Sequence, residues 1–172
     1  LFLTNFGNEA LITICLLLAI GKAIEINRSL EPLVGFLSKS WVNHPKLSLL
    51  GVLLFGAFFS AFINNTPIVV MLIPALIAVS ENAKISSSRV LMPMGMATII
   101  GGMATTIGTS TNLLVVGIAN DMGLEAIQLF DFVLPALIAG FFGILFLWLI
   151  APNMLPDRTP RAEKKENRVF EA

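Results

Sequence analysis

Two strongly apolar stretches of this chain are each interrupted near the middle by small polar residues. They are Ser60-Ala61-Phe62-Ile63-Asn64-Asn65-Thr66-Pro67 and Gly108-Thr109-Ser110-Thr111-Asn112. Backbone placed in hydrocarbon must satisfy its own hydrogen bonds, so irregular chain at that depth survives only where it is buried in protein or lines a cavity. The interruptions therefore mark candidate sites for something hydrophilic. The surrounding composition makes this the relevant environment: 56% of the 172 residues are hydrophobic and 13% charged, with a mean hydropathy of +0.86. That is more apolar surface than one soluble core can bury, so the chain reads as an integral membrane protein of a plasma or inner membrane, in contact with the lipid bilayer.

Charge follows the same division. Nine charged residues fall in 157–172, which reads as a charged cytoplasmic linker over 156–172 attached to a membrane body over 1–155. A formal net charge of zero and the lack of a basic cluster outside that tail give no support to nucleic-acid binding, and no nucleic-acid partner is expected. Cys15 is the sole cysteine and reads as a small packing residue. His44, the sole histidine, sits beside Pro45 in a polar connection and reads as a solvated loop residue. Met92, Met94, Met96 and Met103 do not converge on one helical face, so they read as packing residues and not as a soft-metal path. No nucleophile, base and orienting group sit together, so an enzyme is not expected. The start at Leu1 and the apolar character near Phe170 read as those of a piece of a longer transporter.

Run lengths set the architecture. A span is predicted over 10–26, an interfacial helix over 30–41 with Trp41 in the aromatic belt, and a conventional span over 130–150. The runs 47–79 and 90–119 would make straight helices of about 50 and 45 Å, against about 30 Å of hydrocarbon. Loop charges decide how each is accommodated. Lys22, Arg28, Lys39 and Lys46 precede the first of these runs, Lys84 and Arg89 separate the two, residues 120–129 carry no cation, and five cations follow residue 150. Under the positive-inside rule the order is inside, inside, outside, inside. This makes 47–79 a re-entrant helical hairpin and 90–119 a broken transmembrane span, in an all-α membrane fold.

The chemistry of the interruptions fits an anion and a cation together. Thr66-Pro67 and Ser110-Thr111-Asn112 suit the start of a helix, whose free amides and partial positive charge hold anions. The preceding helix ends present unpaired carbonyls, and Asn, Ser and Thr oxygens add hard ligands of the kind sodium takes in broken-helix transporters. Ser110 and Thr111 are thus candidate substrate contacts and Asn112 a candidate sodium ligand. No Asp, Glu, Lys, Arg or His lies in 47–79 or 90–119, which disfavours a proton relay in this part of the chain.

The segment 60–67 resembles the Ser-Asn-Thr signature of the divalent anion/sodium symporter family, with Asn64 at the usual serine. Gly101-Gly102-Met103-Ala104-Thr105-Thr106-Ile107-Gly108-Thr109-Ser110-Thr111-Asn112 resembles that family's second signature, a Gly-Gly pair leading to Gly-Thr-x-x-Asn. Arg89-Val90-Leu91-Met92-Pro93 and Leu155-Pro156-Asp157-Arg158 are similar to flanking positions in its sulfate-permease-like members; a citrate-transporter-like branch is the alternative placement. The resemblance implies one half of an inverted-repeat transporter, a homodimer when intact, with an elevator-type transport subdomain. It implies sodium binding by Ser60, Asn64, Asn65 and Gly108, and substrate binding by Asn65, Thr66 and Thr109. The implied activity is sodium-coupled symport of a small divalent oxyanion, sulfate or a di- or tricarboxylate, with sodium as coupling ion and no cofactor. In the permease-like branch regulatory domains follow the tail. Competing expectations are an arsenite or sodium/proton antiporter of the same ion-transporter group, and a membrane scaffold subunit whose polar breaks serve only helix packing.

Overall fold

In the computed structural model, which describes residues 9–27, 45–83 and 85–157, the regular structure is helical. The interfacial helix expected over 30–41, His44, and the tail beyond residue 157 lie outside the described residues. The helices are α1 (Glu9–Ile26), α2 (Pro45–Ser60), α3 (Asn65–Asn82), α4 (Ser88–Gly102), α5 (Ser110–Asp121), α6 (Val133–Leu149) and the short α7 (Ala151–Met154).

Each overlong apolar run is thus two helices with an irregular joint. Residues 61–64 separate α2 from α3, and residues 103–109 separate α4 from α5. Among the described residues no helix is long and apolar enough to cross a membrane. Division shortens the helices of the broken runs: α2 has 16 residues, α4 15 and α5 12, and at about 1.5 Å per residue none of these three reaches the roughly 30 Å of hydrocarbon. The run 130–150, read as a conventional span, gives the 17 residues of α6, then a one-residue break at Ile150 with φ −105° and ψ −48°. Pro152 at the start of α7 cannot donate into the preceding turn, which is why the helix restarts instead of continuing.

The helix starts differ from their sequence-based placement. Thr66 was expected as the cap of the second arm, but α3 begins at Asn65 with Asn64 in the cap position, φ −51° and ψ 143°. Pro67, lacking an amide, is tolerated anywhere in a first turn, so it does not fix which residue precedes the helix. Likewise Thr109, extended at φ −135° and ψ 143°, caps α5, and its Oγ1 accepts from the Thr111 amide at 3.0 Å. Cys15, read as a packing residue, is exposed on α1.

Packing centres on α4. It lies chiefly along α2 and also contacts α3, α6 and α7, while α1 packs on α3 and α5. The two arms of the first broken run therefore lean on α4 more than on each other. The buried cluster runs through Val52 and Leu53 of α2, Ile68 and Leu72 of α3, and Val90, Met94 and Ala97 of α4, each nearly inaccessible. Gly101 brings α4 against α2 without an intervening side chain: a Cβ there would fall well inside contact distance of the Ala57 carbonyl. Gly95, six residues earlier on the same helix, faces nothing within 4 Å.

This contrast is measurable. Gly101→Ala should force α2 and α4 apart and lower stability by about 3 kcal/mol or more, whereas Gly95→Ala should gain about 0.5–1 kcal/mol from helix propensity. Unfolding temperatures of the purified intact protein in detergent check both directions.

Candidate functional site

The two interruptions meet. A helix leaves its last carbonyls without intrahelical donors, and both joints create such carbonyls in the interior. Among the described residues no backbone amide bonds the carbonyls of Ser60, Ala61 or Gly102. The amide that helix continuation would bring to Gly102 turns elsewhere, Thr106 donating to the Leu129 carbonyl at 3.2 Å. All three freed carbonyls converge on Gly108. A Cβ at Gly108 would lie 2.6 Å from the Gly102 oxygen, 2.9 Å from that of Ser60 and 3.0 Å from that of Ala61. Only a residue without a side chain lets the chain approach a ring of main-chain oxygens so closely.

Side chains complete this cradle. A Cβ on Gly102 would stand 2.9 Å from Asn65 Oδ1, 3.3 Å from the Gly108 oxygen and 3.4 Å from Thr109 Cγ2. Ser60 is fully buried, and its hydroxyl donates to Asn65 Oδ1, orienting that amide so its oxygen faces the glycines. The result is a set of neutral hard oxygens, main-chain and amide, with no charged group in either run. One flank is apolar. A cavity of about 590 Å³ lies between α2, α4 and α6, walled by Leu54, Phe58, Ile100, Leu137 and Phe141 and reaching Ala61 and Thr105. A low-dielectric wall of this kind strengthens the attraction between oxygen dipoles and a cation.

The sequence-predicted residues divide into two groups. Ser60, Asn65, Gly108 and Thr109 come together around Gly102. Thr66, Ser110 and Thr111 are exposed in the first turns of α3 and α5, and half-buried Asn64 makes no side-chain cap bond. Asn112 is directed at the backbone of the break: its Nδ2 donates to the Thr105 carbonyl at 2.9 Å and to the Met103 carbonyl at 3.4 Å. That leaves its Oδ1 as the atom available to a ligand. Residue types alone did not single out Thr105, whose hydroxyl donates to the Ala61 carbonyl and accepts from the Gly108 amide at 3.0 Å. The adjacent pair Thr105-Thr106 inside a Gly-Gly to Gly stretch is the signal the sequence carries, and it does not tell the two apart.

The family model described as citrate transporter matches residues 2–170. An uncharacterized transporter of Synechocystis is 32% identical over 160 residues, 91% of this chain and 26% of that protein. Sodium/sulfate cotransporter 2 of Chlamydomonas reinhardtii is 31% identical over 170 residues, 93% of this chain and 19% of its own length. An uncharacterized transporter of Escherichia coli is 27% identical over 169 residues, 97% of this chain and 28% of the relative. The chain thus spans between about a fifth and just over a quarter of the length of these relatives. No solved structure shows significant similarity to it.

Asn112→Ala would leave two carbonyls of the second joint without their side-chain donor, at a cost of about 1–3 kcal/mol. Hydrogen exchange of the intact protein should then quicken at the amides of 103–112 while α2 and the buried part of α3 keep their protection.

Proposed function

The chain belongs to the citrate transporter family, and from that premise we propose that it forms the sodium- and anion-binding part of a secondary active transporter of divalent oxyanions. Membership makes it part of a transporter and not an enzyme. The name of the Chlamydomonas relatives, sodium/sulfate cotransporters, directs the substrate reading to sulfate, and the family description directs it to a tricarboxylate.

One observation carries the proposal: the freed carbonyls of Ser60, Ala61 and Gly102, with Asn65 Oδ1 close by, surround Gly108. Such oxygens suit a hard monovalent cation, and sodium is the coupling ion of the proposed cycle, with Ser60, Asn64, Asn65, Gly108 and Asn112 as the surrounding residues. Beside the cradle, α5 begins at Ser110 behind its Thr109 cap, and α3 begins at Asn65. The exposed first turns bring Thr66, Ser110 and Thr111 to the surface with amides and hydroxyls that can donate to an oxyanion, and each helix start adds partial positive charge. Asn65, Thr66, Thr109, Ser110 and Thr111 are the proposed substrate contacts.

Cation and anion bind cooperatively in this scheme. A dianion leaving water loses far more solvation than partial charges restore, and a bound sodium reduces the deficit. Since neither broken run holds a titratable side chain, coupling in this part of the protein passes through sodium and not through a proton relay. The backbone contact of α2 with α4 at Gly101 favours movement of both joints as one body, in keeping with an elevator-type cycle in an intact homodimer. The segment beyond residue 150 lies on the cytoplasmic side in this reading.

The test is uptake of radiolabelled sulfate, succinate and citrate by the intact transporter in proteoliposomes under an imposed sodium gradient. Uptake of at least one anion should require sodium, and Asn65→Ala should raise the half-saturating sodium concentration about 10–100-fold, the range for losing a bond to a charged partner. Uptake indifferent to sodium and to the substitution would refute the proposal; proton-driven or arsenite efflux would favour an antiporter instead.

A further inference from the structure

We propose that Thr105 is the positioning residue that sets the spacing of the carbonyl cradle, and that the preference of the site for sodium over larger alkali cations depends on its hydroxyl. The inference rests on the cradle being a cation site, as proposed above, and assigns its selectivity to a residue outside the cradle's own ring of oxygens.

A threonine hydroxyl has one hydrogen to donate and two lone pairs. At Thr105 the hydrogen goes to the Ala61 carbonyl, 44 positions earlier in the chain, and one lone pair accepts the Gly108 amide at 3.0 Å. Among the described residues it is the only side chain hydrogen-bonded to both interrupted segments. The residue is itself held at both ends. It is 1% exposed, and Asn112 Nδ2 fixes its carbonyl at 2.9 Å. The amide of Thr106, beside it, donates to the Leu129 carbonyl at 3.2 Å.

This bridge governs the dimensions of the cradle. The Ala61 carbonyl has two lone pairs; Thr105 engages one and leaves the other for a ligand. The same hydroxyl draws the Gly108 amide to itself, which fixes the face Gly108 turns to the Ser60, Ala61 and Gly102 oxygens. A ring of carbonyls distinguishes sodium from potassium through the distance it holds and the field it presents. Ser60 ends α2 and Ala61 is the first of the four irregular residues that follow, where little else holds a carbonyl in place. With the bridge removed, the Ala61 carbonyl relaxes outward, the cradle accommodates a larger ion, and sodium loses its advantage.

The experiment is cation-dependent thermal stabilisation of the purified intact protein, titrated with sodium chloride and with potassium chloride at constant ionic strength. Four proteins are compared: wild type, Thr105→Val, Thr105→Ser and Thr98→Val. Thr98 is a control of matched burial, because its Oγ1 donates within its own helix to the Gly95 carbonyl at 2.7 Å and touches neither joint. Wild type should be stabilised at lower sodium than potassium. Thr105→Val should raise the sodium midpoint about 10-fold or more and bring the two midpoints together. Thr105→Ser should behave as wild type, and Thr98→Val should lose stability without a change in midpoint. The proposal is overturned if Thr105→Val keeps the wild-type midpoint and ratio, if Thr98→Val shifts them equally, or if the serine variant is as impaired as the valine one. Should Thr105→Val give no folded protein, Thr105→Cys, a weaker donor, takes its place and should fall between serine and wild type on one side and loss of discrimination on the other; wild-type behaviour there refutes the assignment. A wild type that does not distinguish sodium from potassium removes the cation site itself, and the role of Thr105 with it, whereas a discriminating wild type matched by the valine variant removes only the role of Thr105.

Discussion

A main-chain carbonyl released from a helix inside apolar surroundings has to find a partner, and the arrangement of this protein follows from that requirement. Three such oxygens, from Ser60, Ala61 and Gly102, are released at two joints far apart in sequence. They are brought to one place by the packing of α2 on α4, which the absence of a side chain at Gly101 permits. Gly108 then closes the group, since any Cβ there would occupy the space among the oxygens. Fold and site are consequently one problem: the same glycines that let helices touch determine where the free oxygens collect.

The apolar part of the structure supports this by fixing α4. Met94 and Ala97 on α4 sit against Val52 and Leu53 on α2 and Leu72 on α3, all nearly inaccessible, so the helix bearing the second joint is held from two sides. Two of the buried hydroxyls, those of Ser80 and Thr98, are tied to backbone within their own helices. Ser80 donates to the Leu76 carbonyl at 2.6 Å and Thr98 to that of Gly95 at 2.7 Å. Thr105 differs in reaching across to another segment. A hydroxyl that joins distant backbone in a low-dielectric interior contributes more to geometry than one that repeats a bond within its own helix.

The helical character of the chain and its transporter family were legible in the residues, because apolar run length and the order of two short signatures are local properties. Joints were legible for the same reason: Asn64-Asn65 and Gly108-Thr109 stand out against leucine, valine and isoleucine. Which residue caps each restarting helix was less so. Thr66-Pro67 looked like a start, yet Asn64 holds the cap position, since a proline fits several first-turn positions equally. At the second joint several adjacent residues are acceptable caps, and Thr109 takes the position because its extended backbone allows Oγ1 to reach the Thr111 amide. The resemblance put Ser60 and Gly108 in one site, but the part of the Ala61 and Gly102 carbonyls was not readable, as it arises from a contact between helices and concerns atoms every residue has. Asn112 illustrates the same limit: its type announces a ligand oxygen, while its amide nitrogen is committed to two carbonyls.

The close approach at Gly101 also bears on how this part of the protein can deform. At the point where Gly101 meets Ala57 backbone to backbone, no flexible side chain lies between the helices to absorb shear, and sliding one past the other by a fraction of a turn would drive main-chain atoms together there. Such a pair keeps its registry under load and pivots, if at all, at its ends, near the turn of residues 85–87 and the joint at 61–64. Gly95, on the same helix with open space before it, is accordingly a position where a reporter group can follow the displacement of the whole unit without prising it open.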